Sequence, residues 1–217
     1  MPRTITVTGV GSTRVSPDTT VITMVLRSLN KDYAKSVAES AEQLEAVKSA
    51  LCAVGFRKED IKTTSFNIVT EHESVRDENG NYTEKFKGYS CINNIKLEFD
   101  FDASRLSDVV ATIASSLSDP QINIRFTVRD SESVKNALLT DAAENARKKA
   151  EILASGSGVS LGLLLSVDYS FRDRELVSRT EYMMDNGVMA MKASRSLDFT
   201  PDDISLSDSV TFVWEIK

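Results

Sequence analysis

The pair Asn79–Gly80 constrains the fold of this 217-residue chain most strongly, because it separates two long stretches of strand-like composition. An Asn-Gly pair favours a type I′ turn, in which both central residues have positive φ, and it is the strongest short-range signal of a β-hairpin. The first stretch begins near Ile61 and the second ends near Phe99. A straight arm of about 16 residues at ~3.4 Å each would reach roughly 50 Å.

That length exceeds what a compact body can hold, since a domain of this size has a radius of gyration of only ~17 Å. The hairpin must therefore bend or carry its tip beyond the body. The residues near the turn are too polar to be buried within their own chain, so we expect the tip to project. They include Glu71, Glu73, Arg76, Asp77, Glu78, Glu84, Lys85 and Lys87.

Helical periodicity marks three further stretches of the chain. Apolar residues recur every three or four positions in residues 31–54, 104–117 and 131–155, with Asn30 as the predicted N-cap of the first helix and Gly55 just past its end. The third helix has a small-residue inward face that would let it approach a sheet closely. That face comprises Ala137, Leu138, Ala142, Ala146, Ala150, Leu153 and Ala154.

The remaining alternating stretches predict strands, and residues 172–201 are expected to be irregular. The order β-β-α-β-β-α-β-α-β-β predicts an α+β fold, a largely antiparallel sheet or sheets with two long helices and one shorter helix. It contains a ferredoxin-like β-α-β-β-α-β segment and the long β-hairpin. We expect one domain over residues 1–217, with possible subdomains at about 15–130 and about 131–217, the second packed with the N-terminal strand.

Composition and charge narrow the class of partner. The net charge of −6 argues against nucleic acid or an anionic membrane, because phosphate binding needs concentrated Lys and Arg. No apolar stretch approaches the ~20 residues that span a bilayer, and the N-terminus has no signal-peptide pattern. We therefore expect a cytoplasmic protein as written, or a periplasmic or extracellular one if an export signal was removed. Cys52 and Cys91 are interpreted as buried free thiols, with a disulfide as the alternative in an oxidising compartment.

The stretch Gly9-Val10-Gly11 invites interpretation as a phosphate-binding loop. A dinucleotide fingerprint needs a third glycine and a helix start, but position 14 is Arg14 and a strand follows. We interpret the glycines as a bulge or strand bend.

No other motif predicts catalysis. His72 is the only histidine, which excludes a multi-histidine metal site, and the carboxylates form no paired motif in an apolar setting. We expect no enzymatic activity, no cofactor and no metal.

Four of the six methionines lie in one short segment, at Met183, Met184, Met189 and Met191. Thioethers bind soft metals such as Cu(I), and they also make adaptable contacts. We favour a packing or partner-contacting segment, with metal binding as the alternative.

Several motifs, in their order and spacing, resemble the bacterial SIMPL-domain family over nearly the whole chain. That family includes periplasmic immunogenic proteins and proteins of oxidative-stress defence. The resemblance implies an α+β fold that can assemble into large ring- or channel-like homo-oligomers, and it supplies no catalytic residues. The matching pieces are ITVTGVG with Pro17-Asp18, Gly55-Phe56 with Asp60-Ile61 and Thr63, Gly88-Tyr89, INIRF (Ile122 to Phe126), the stretch from Leu138 to Gly162, the Met/Ala-rich run, and Pro201, Ile204, Val210 and Val213.

We therefore expect a non-enzymatic protein that forms homo-oligomers and has a stress- or envelope-related role. A projecting hairpin offers edge strands that a neighbouring subunit can pair with. The alternative is a stress protein that binds a small molecule or soft metal through the Met-rich segment. The expected contact residues are Arg76, Asn79, Gly80, Tyr82, Met183, Met184, Met189 and Met191.

Overall fold

The computed structural model describes residues 3–76, 81–116, 121–170, 175–184 and 199–217. Within these ranges the chain has the predicted α+β class, with three α-helices and eight strands in two sheets. The elements are β1 (Thr4–Val15), β2 (Thr19–Asn30), α1 (Tyr33–Ala53), a 3-10 turn (Lys58–Asp60), β3 (Ile61–Arg76), β4 (Tyr82–Asp100), α2 (Ala103–Ser116), β5 (Gln121–Thr127), α3 (Ser131–Gly156), β6 (Leu161–Asp168), β7 (Val177–Met184) and β8 (Ile204–Ile216).

The chain divides into two compact units, each assembled from separate stretches of sequence. The first unit contains both ends of the chain together with a middle stretch, and the second contains most of the N-terminal half. The first comprises Met1–Pro17, Thr127–Arg179 and Asp202–Lys217, and the second comprises Asp18–Phe126 and Thr180–Pro201.

The second unit contains a five-stranded sheet in the order β3-β4-β2-β5-β7, to which β7 contributes Thr180–Met184. The segment from β2 to β5 has the predicted β-α-β-β-α-β order. β4 pairs antiparallel with both β2 and β3. Apolar residues of these strands, such as Ile22 and Ile95, form one core with residues of α1 and α2, such as Leu51 and Ile113. Burial of this shared apolar face holds the helices on the sheet.

Strand β7 corrects the expectation that residues 172–201 are irregular. Ser178 and Met184 are buried, and the Ser178 hydroxyl donates to the Asp202 carbonyl over 2.6 Å. Because Ser178 and Thr180 alternate with still more polar residues, the strand lacks the apolar period that marks a half-buried strand.

The first helix begins at a different cap from the predicted one. Asp32, not Asn30, is the N-cap, because its side chain accepts from the Lys35 amide. The Asn30 side chain instead accepts from the amide of Asp32, two residues later in the chain. Gly55 follows the helix with a φ of +92°, in the left-handed region that a helix terminus favours for glycine.

The first unit contains a three-stranded sheet in the order β1-β8-β6, with α3 packed on it. β1 and β8 pair antiparallel without interruption, from Thr4 opposite Glu215 to Val15 opposite Ile204. The buried face of α3 consists of Leu138 and the four alanines at 142, 146, 150 and 154. Ala137 and Leu153 were expected on that face, but both are exposed, because they lie about 100° off the stripe that repeats every four residues.

Gly9 and Gly11 allow α3 to pack closely against β1. The pairing of β1 shows no bulge there, and neither glycine has positive φ, so the expected bend is wrong. A Cβ on Gly9 would lie 2.0 Å from the Ala142 carbonyl oxygen, and one on Gly11 would lie 2.0 Å from that of Leu138. The helix backbone therefore rests directly on the strand backbone, and only glycine leaves room for it.

This contact predicts that Gly9→Ala destabilises the protein. The new methyl group meets backbone atoms, so the helix must move, and overpacking of this kind lowers the free energy of unfolding by about 1–3 kcal/mol. For a chain of this length that corresponds to roughly 2–4 °C in Tm per kcal/mol. Gly156→Ala is the matched control, because a Cβ there meets no atom within 4 Å. An equal Tm for both variants, measured by thermal unfolding, would contradict the contact.

Asp203 predicts a pH-dependent contribution to the stability of the first unit. It accepts from the Ser16 hydroxyl over 2.6 Å and pairs with Arg14 over 2.9 Å, which joins the end of β1 to the start of β8. The Ser16 hydrogen bond and then the Arg14 charge lower the pKa of Asp203. A lowered folded-state pKa stabilises the fold above the unfolded value, near 3.9 for Asp, and this stabilisation is lost as pH falls below it.

The substitution Asp203→Asn should therefore lower Tm at pH 7 and have progressively less effect as pH falls through about 4. Thermal unfolding of both proteins between pH 7 and pH 3 measures the difference. A gap in Tm that stays constant across this range would show that the carboxylate charge does not contribute.

Candidate functional site

The long hairpin extends beyond the sheet that contains its base. β2 pairs with β4 only as far as Asn30, opposite Tyr89. Beyond that point the described residues of β3 and β4 pair only with each other, from Glu71 opposite Gly88 to Arg76 opposite Tyr82. We call residues 71–76 and 82–88 the hairpin arm. At ~3.4 Å per residue the arm projects roughly 20 Å past the end of β2.

A glycine and a bulge mark the base of the hairpin arm. A Cβ on Gly88 would lie 2.8 Å from the Asn30 carbonyl oxygen, so glycine lets β4 pass the end of β2 closely. The pairing of β3 with β4 shifts by one residue between Glu71 and His72. Bulges bend a strand and increase its local twist, so the arm can leave the sheet in a new direction.

Aromatic rings support the base of the arm. Tyr33 packs edge-on against Tyr89 with ring centroids 5.5 Å apart, and Tyr89 packs against Phe86 at 5.3 Å. Phe86 in turn contacts His72 at 6.1 Å. Edge-to-face pairs of this kind contribute roughly 0.5–1.5 kcal/mol each beyond area burial. His72 is exposed, as the sequence predicts, and its ring is a packing surface for Phe86.

Charged residues on the arm are balanced between its two strands. Glu71 lies 3.6 Å from the Lys87 ammonium and 4.0 Å from the Arg27 guanidinium. Glu73 lies opposite Lys85 in the register. Opposite charges across a strand pair stabilise the pairing modestly, and the arm therefore presents a mixed surface without a strong single-sign field.

Apolar side chains are exposed along β3 and the arm. β3 is an outer strand of its sheet, and of its sixteen residues only Ile61 is buried. The exposed fraction of Tyr82 is 74%. Such an edge offers unpaired main-chain groups together with apolar side chains to another strand. The exposed large hydrophobic residues here are Phe66, Val69, Val75, Tyr82 and Phe86.

The structure separates the expected contact residues into different places. Arg76 and Tyr82 lie opposite each other at the far end of the arm. Met183 is 73% exposed on β7, at the other edge of the same sheet, four strand spacings or roughly 19 Å across from β3. Met184 is buried in the core of the second unit. The remaining expected residues, Asn79, Gly80, Met189 and Met191, lie outside the described residues.

Shifted pKa values in the described part of the second unit belong to surface pairs. The Asn123 side chain and then Arg125 lower the pKa of Glu181 by donating to its carboxylate. Hydrogen bonds from Arg57 likewise lower the pKa of Asp60. Among the described residues, no group of three or more His, Cys, Asp or Glu could hold a metal ion.

A cavity of about 350 Å³ in the first unit was not predicted from the sequence. The Tyr169 hydroxyl donates to the Asp208 carboxylate over 3.2 Å, and burial, followed by the charge of Asp208, raises the pKa of Tyr169. No local sequence motif predicts this cavity, because its walls come from stretches far apart in the chain. The walls include Lys135, Leu138, Leu139, Tyr169, Leu176, Leu206 and Asp208.

Comparison with known proteins gives a consistent result. The model of the SIMPL family, described as "Protein of unknown function (DUF541)", matches residues 5–214. The chain is 24% identical over 221 residues to the 26 kDa periplasmic immunogenic protein of Brucella melitensis biotype 1, covering 100% of this chain and 86% of the relative. The protein of the same name from Brucella abortus (strain S19) matches with equal identity and coverage. No helix in the described ranges is long and apolar enough to cross a membrane.

The placement of the two adjacent methionines predicts different effects of substitution. Met184→Ala removes a buried side chain and should lower the free energy of unfolding by about 2–5 kcal/mol. Met183→Ala is the matched control, because a largely exposed side chain contributes within about ±0.5 kcal/mol. Chemical denaturation of both variants measures the difference, and equal stabilities would contradict the opposite orientation of these side chains.

Proposed function

Since the chain belongs to the SIMPL family, we propose from that premise and from its geometry that it is a non-enzymatic protein that associates with copies of itself through the hairpin arm. The observation that carries the proposal is the arm's pairing. Its strands pair only with each other in the described residues, and apolar side chains lie exposed along it. A second copy can add a strand to this edge by main-chain hydrogen bonds.

The arm is suited to a specific contact rather than to uncontrolled aggregation. The bulge at its base and its charges of both signs limit the ways in which another strand can align. Tyr82 at its far end is a large side chain with a polar hydroxyl, the type enriched at interface centres.

The absence of enzymatic activity is also part of the proposal. Catalytic sites are places where burial and neighbouring charges shift pKa values inside a cleft. Among the described residues, shifted carboxylate pKa values belong to surface pairs such as Glu181 with Arg125 and Asp203 with Arg14. Tyr169 lies beside a cavity and its pKa is raised by burial and by Asp208, so its hydroxyl stays protonated and is not activated as a base. These groups support a structural role better than acid–base chemistry.

We place this role in the periplasm, as part of the proposal. The names of both Brucella relatives describe periplasmic proteins, and each match covers the whole of this chain. An envelope- or stress-related task is consistent with that compartment.

Soft-metal binding by the methionines is the weaker hypothesis. Neighbouring side chains on a strand point to opposite faces. Met184 is buried while Met183 is exposed, so these two thioethers do not converge on one ion. The feature that supports small-molecule binding is the cavity beside Tyr169 in the first unit, not the Met-rich segment.

Shortening the arm tests the proposal. Deleting residues 73–76 and 82–85 together removes four facing pairs, from Glu73 opposite Lys85 to Arg76 opposite Tyr82. Because an even number is removed from each strand, the remaining side chains keep their faces. We expect the mass measured by light scattering at matched concentrations to fall relative to the full chain.

Val10→Lys is the control, since Val10 is an exposed strand residue of the first unit, away from the arm in sequence and pairing. The control should keep the mass of the full chain. An unchanged mass after the deletion, with unchanged circular dichroism, would overturn the proposal.

A further inference from the structure

In the three-stranded sheet of the first unit, polar side chains of α3 bind main-chain groups along the β1 edge, and the described residues offer no such cover to the β6 edge. Along β1, side chains of α3 occupy the outward main-chain groups. The Val10 amide donates to the Asn145 side chain over 3.1 Å, and the Ser12 amide donates to Asp141 over 2.9 Å. The Lys149 ammonium donates to the Thr8 carbonyl over 3.3 Å. These three helix residues are four apart, so one face of α3 substitutes for a neighbouring strand.

The edge formed by β6 has no such cover in the described residues. β6 pairs with β8 on one side and has no strand on the other. Four of its apolar side chains are about half exposed or more. The exposed fractions are 70% for Leu163, 51% for Leu164, 49% for Leu165 and 51% for Val167.

Charged and proline residues, which protect many sheet edges, are nearly absent from this one. Natural sheets blunt their outer strands with lysine, proline or inward-pointing charges. β6 contains no lysine or proline, and its one charge, Asp168, stands at its end. Two shifts in its pairing with β8 fall near Leu164, and Gly162 allows the close approach that they need. Monomeric proteins seldom leave so continuous an apolar edge uncovered.

We propose that β6 pairs antiparallel with β6 of a second copy of this chain about a two-fold axis. The proposal rests on the self-association inferred above, but it uses a different surface, in the other unit. The two three-stranded sheets then join into one sheet of six strands. Its outer edges are the two β1 strands, which α3 already covers, so the sheet ends there and the pair is closed.

The sequence of β6 fits a copy of itself better than an unrelated partner. An antiparallel two-fold centred on Leu165 places Leu165 opposite Leu165 of the second copy and Leu163 opposite Val167. Each Asp168 then lies opposite Gly162 of the second copy, and the two carboxylates stand roughly 20 Å apart. A parallel arrangement would instead stack Asp168 on Asp168. The strand carries no charge that would select a basic or acidic partner.

The small size of the β6–β6 contact limits its affinity. A standard interface buries about 800 Å² on each partner and involves about 20–30 residues a side. The eight residues of β6 supply less than this, so the pair alone is expected to be weak and concentration-dependent. Linked to contacts through the hairpin arm, it gains from a high effective concentration within the assembly.

The arm-shortened variant, with residues 73–76 and 82–85 deleted, isolates the β6 contact. We expect it to change from monomer to dimer as its concentration rises through the micromolar range, and no larger species should form. Adding Leu163→Lys and Leu165→Lys should raise the dimer dissociation constant at least about 100-fold, because four ammonium groups then meet at the axis. Analytical ultracentrifugation measures both. Hydrogen exchange at residues 163–167 should slow with concentration in the parent and not in the lysine variant.

Matched controls separate this proposal from the first one. Ile152→Lys, at an exposed position of α3 in the same unit, should leave the dissociation constant unchanged, and thermal unfolding should show that all variants fold. If the arm deletion leaves the mass of the full chain unchanged but the lysine pair lowers it, the arm proposal fails and the β6 proposal stands. If the arm-shortened chain stays monomeric up to several hundred micromolar, the β6 proposal is overturned. It is likewise overturned if the monomer binds phosphatidylcholine–phosphatidylglycerol vesicles and the lysine pair abolishes that binding.

Discussion

Direct contact between the backbone of α3 and the backbone of β1 governs the first unit. Gly9 and Gly11 place no side chain between strand and helix, and the buried alanines of α3 place only methyl groups there. The helix is thereby close enough for its polar residues to reach around the strand edge. Asp141 and Asn145 then accept from the amides of Ser12 and Val10. Larger residues at the glycines would lift the helix away and expose these amides, so the covered edge depends on the small residues.

The long strands of the second unit are stabilised in a different way. Its sheet is held by apolar burial under α1 and α2, while the hairpin arm extends past that core and is held by its own pairing. Aromatic contacts from Tyr33 to His72 connect the base of the arm to the start of α1. The two units therefore offer surfaces of different character, a polar arm with scattered apolar residues and a short apolar edge.

Local signals in the sequence account for much of the fold. The periods of the helices and the arms of the hairpin are properties of neighbouring residues, so they can be recognised without tertiary structure. The role of Gly9 cannot be recognised without tertiary structure, because its partner Ala142 lies more than a hundred residues later. β7 is hidden for another reason, since Ser178 occupies a buried position by hydrogen bonding rather than by apolarity. The apolar run in β6 suggests a buried strand by composition, yet most of the strand is exposed, because burial depends on what packs against it.

The pairing of β1 with β8 has a consequence for how the protein is made. β1 leaves the ribosome before β8, with about 190 residues between them. At about 5–20 residues per second, β1 waits roughly 10–40 seconds for its partner. The pairing of β1 with β8 can therefore form only after β8 has been made, whereas all but the last strand of the second unit is available much earlier. A chain that crosses a membrane unfolded would benefit from this order, because β1 cannot pair with β8 before β8 has been made.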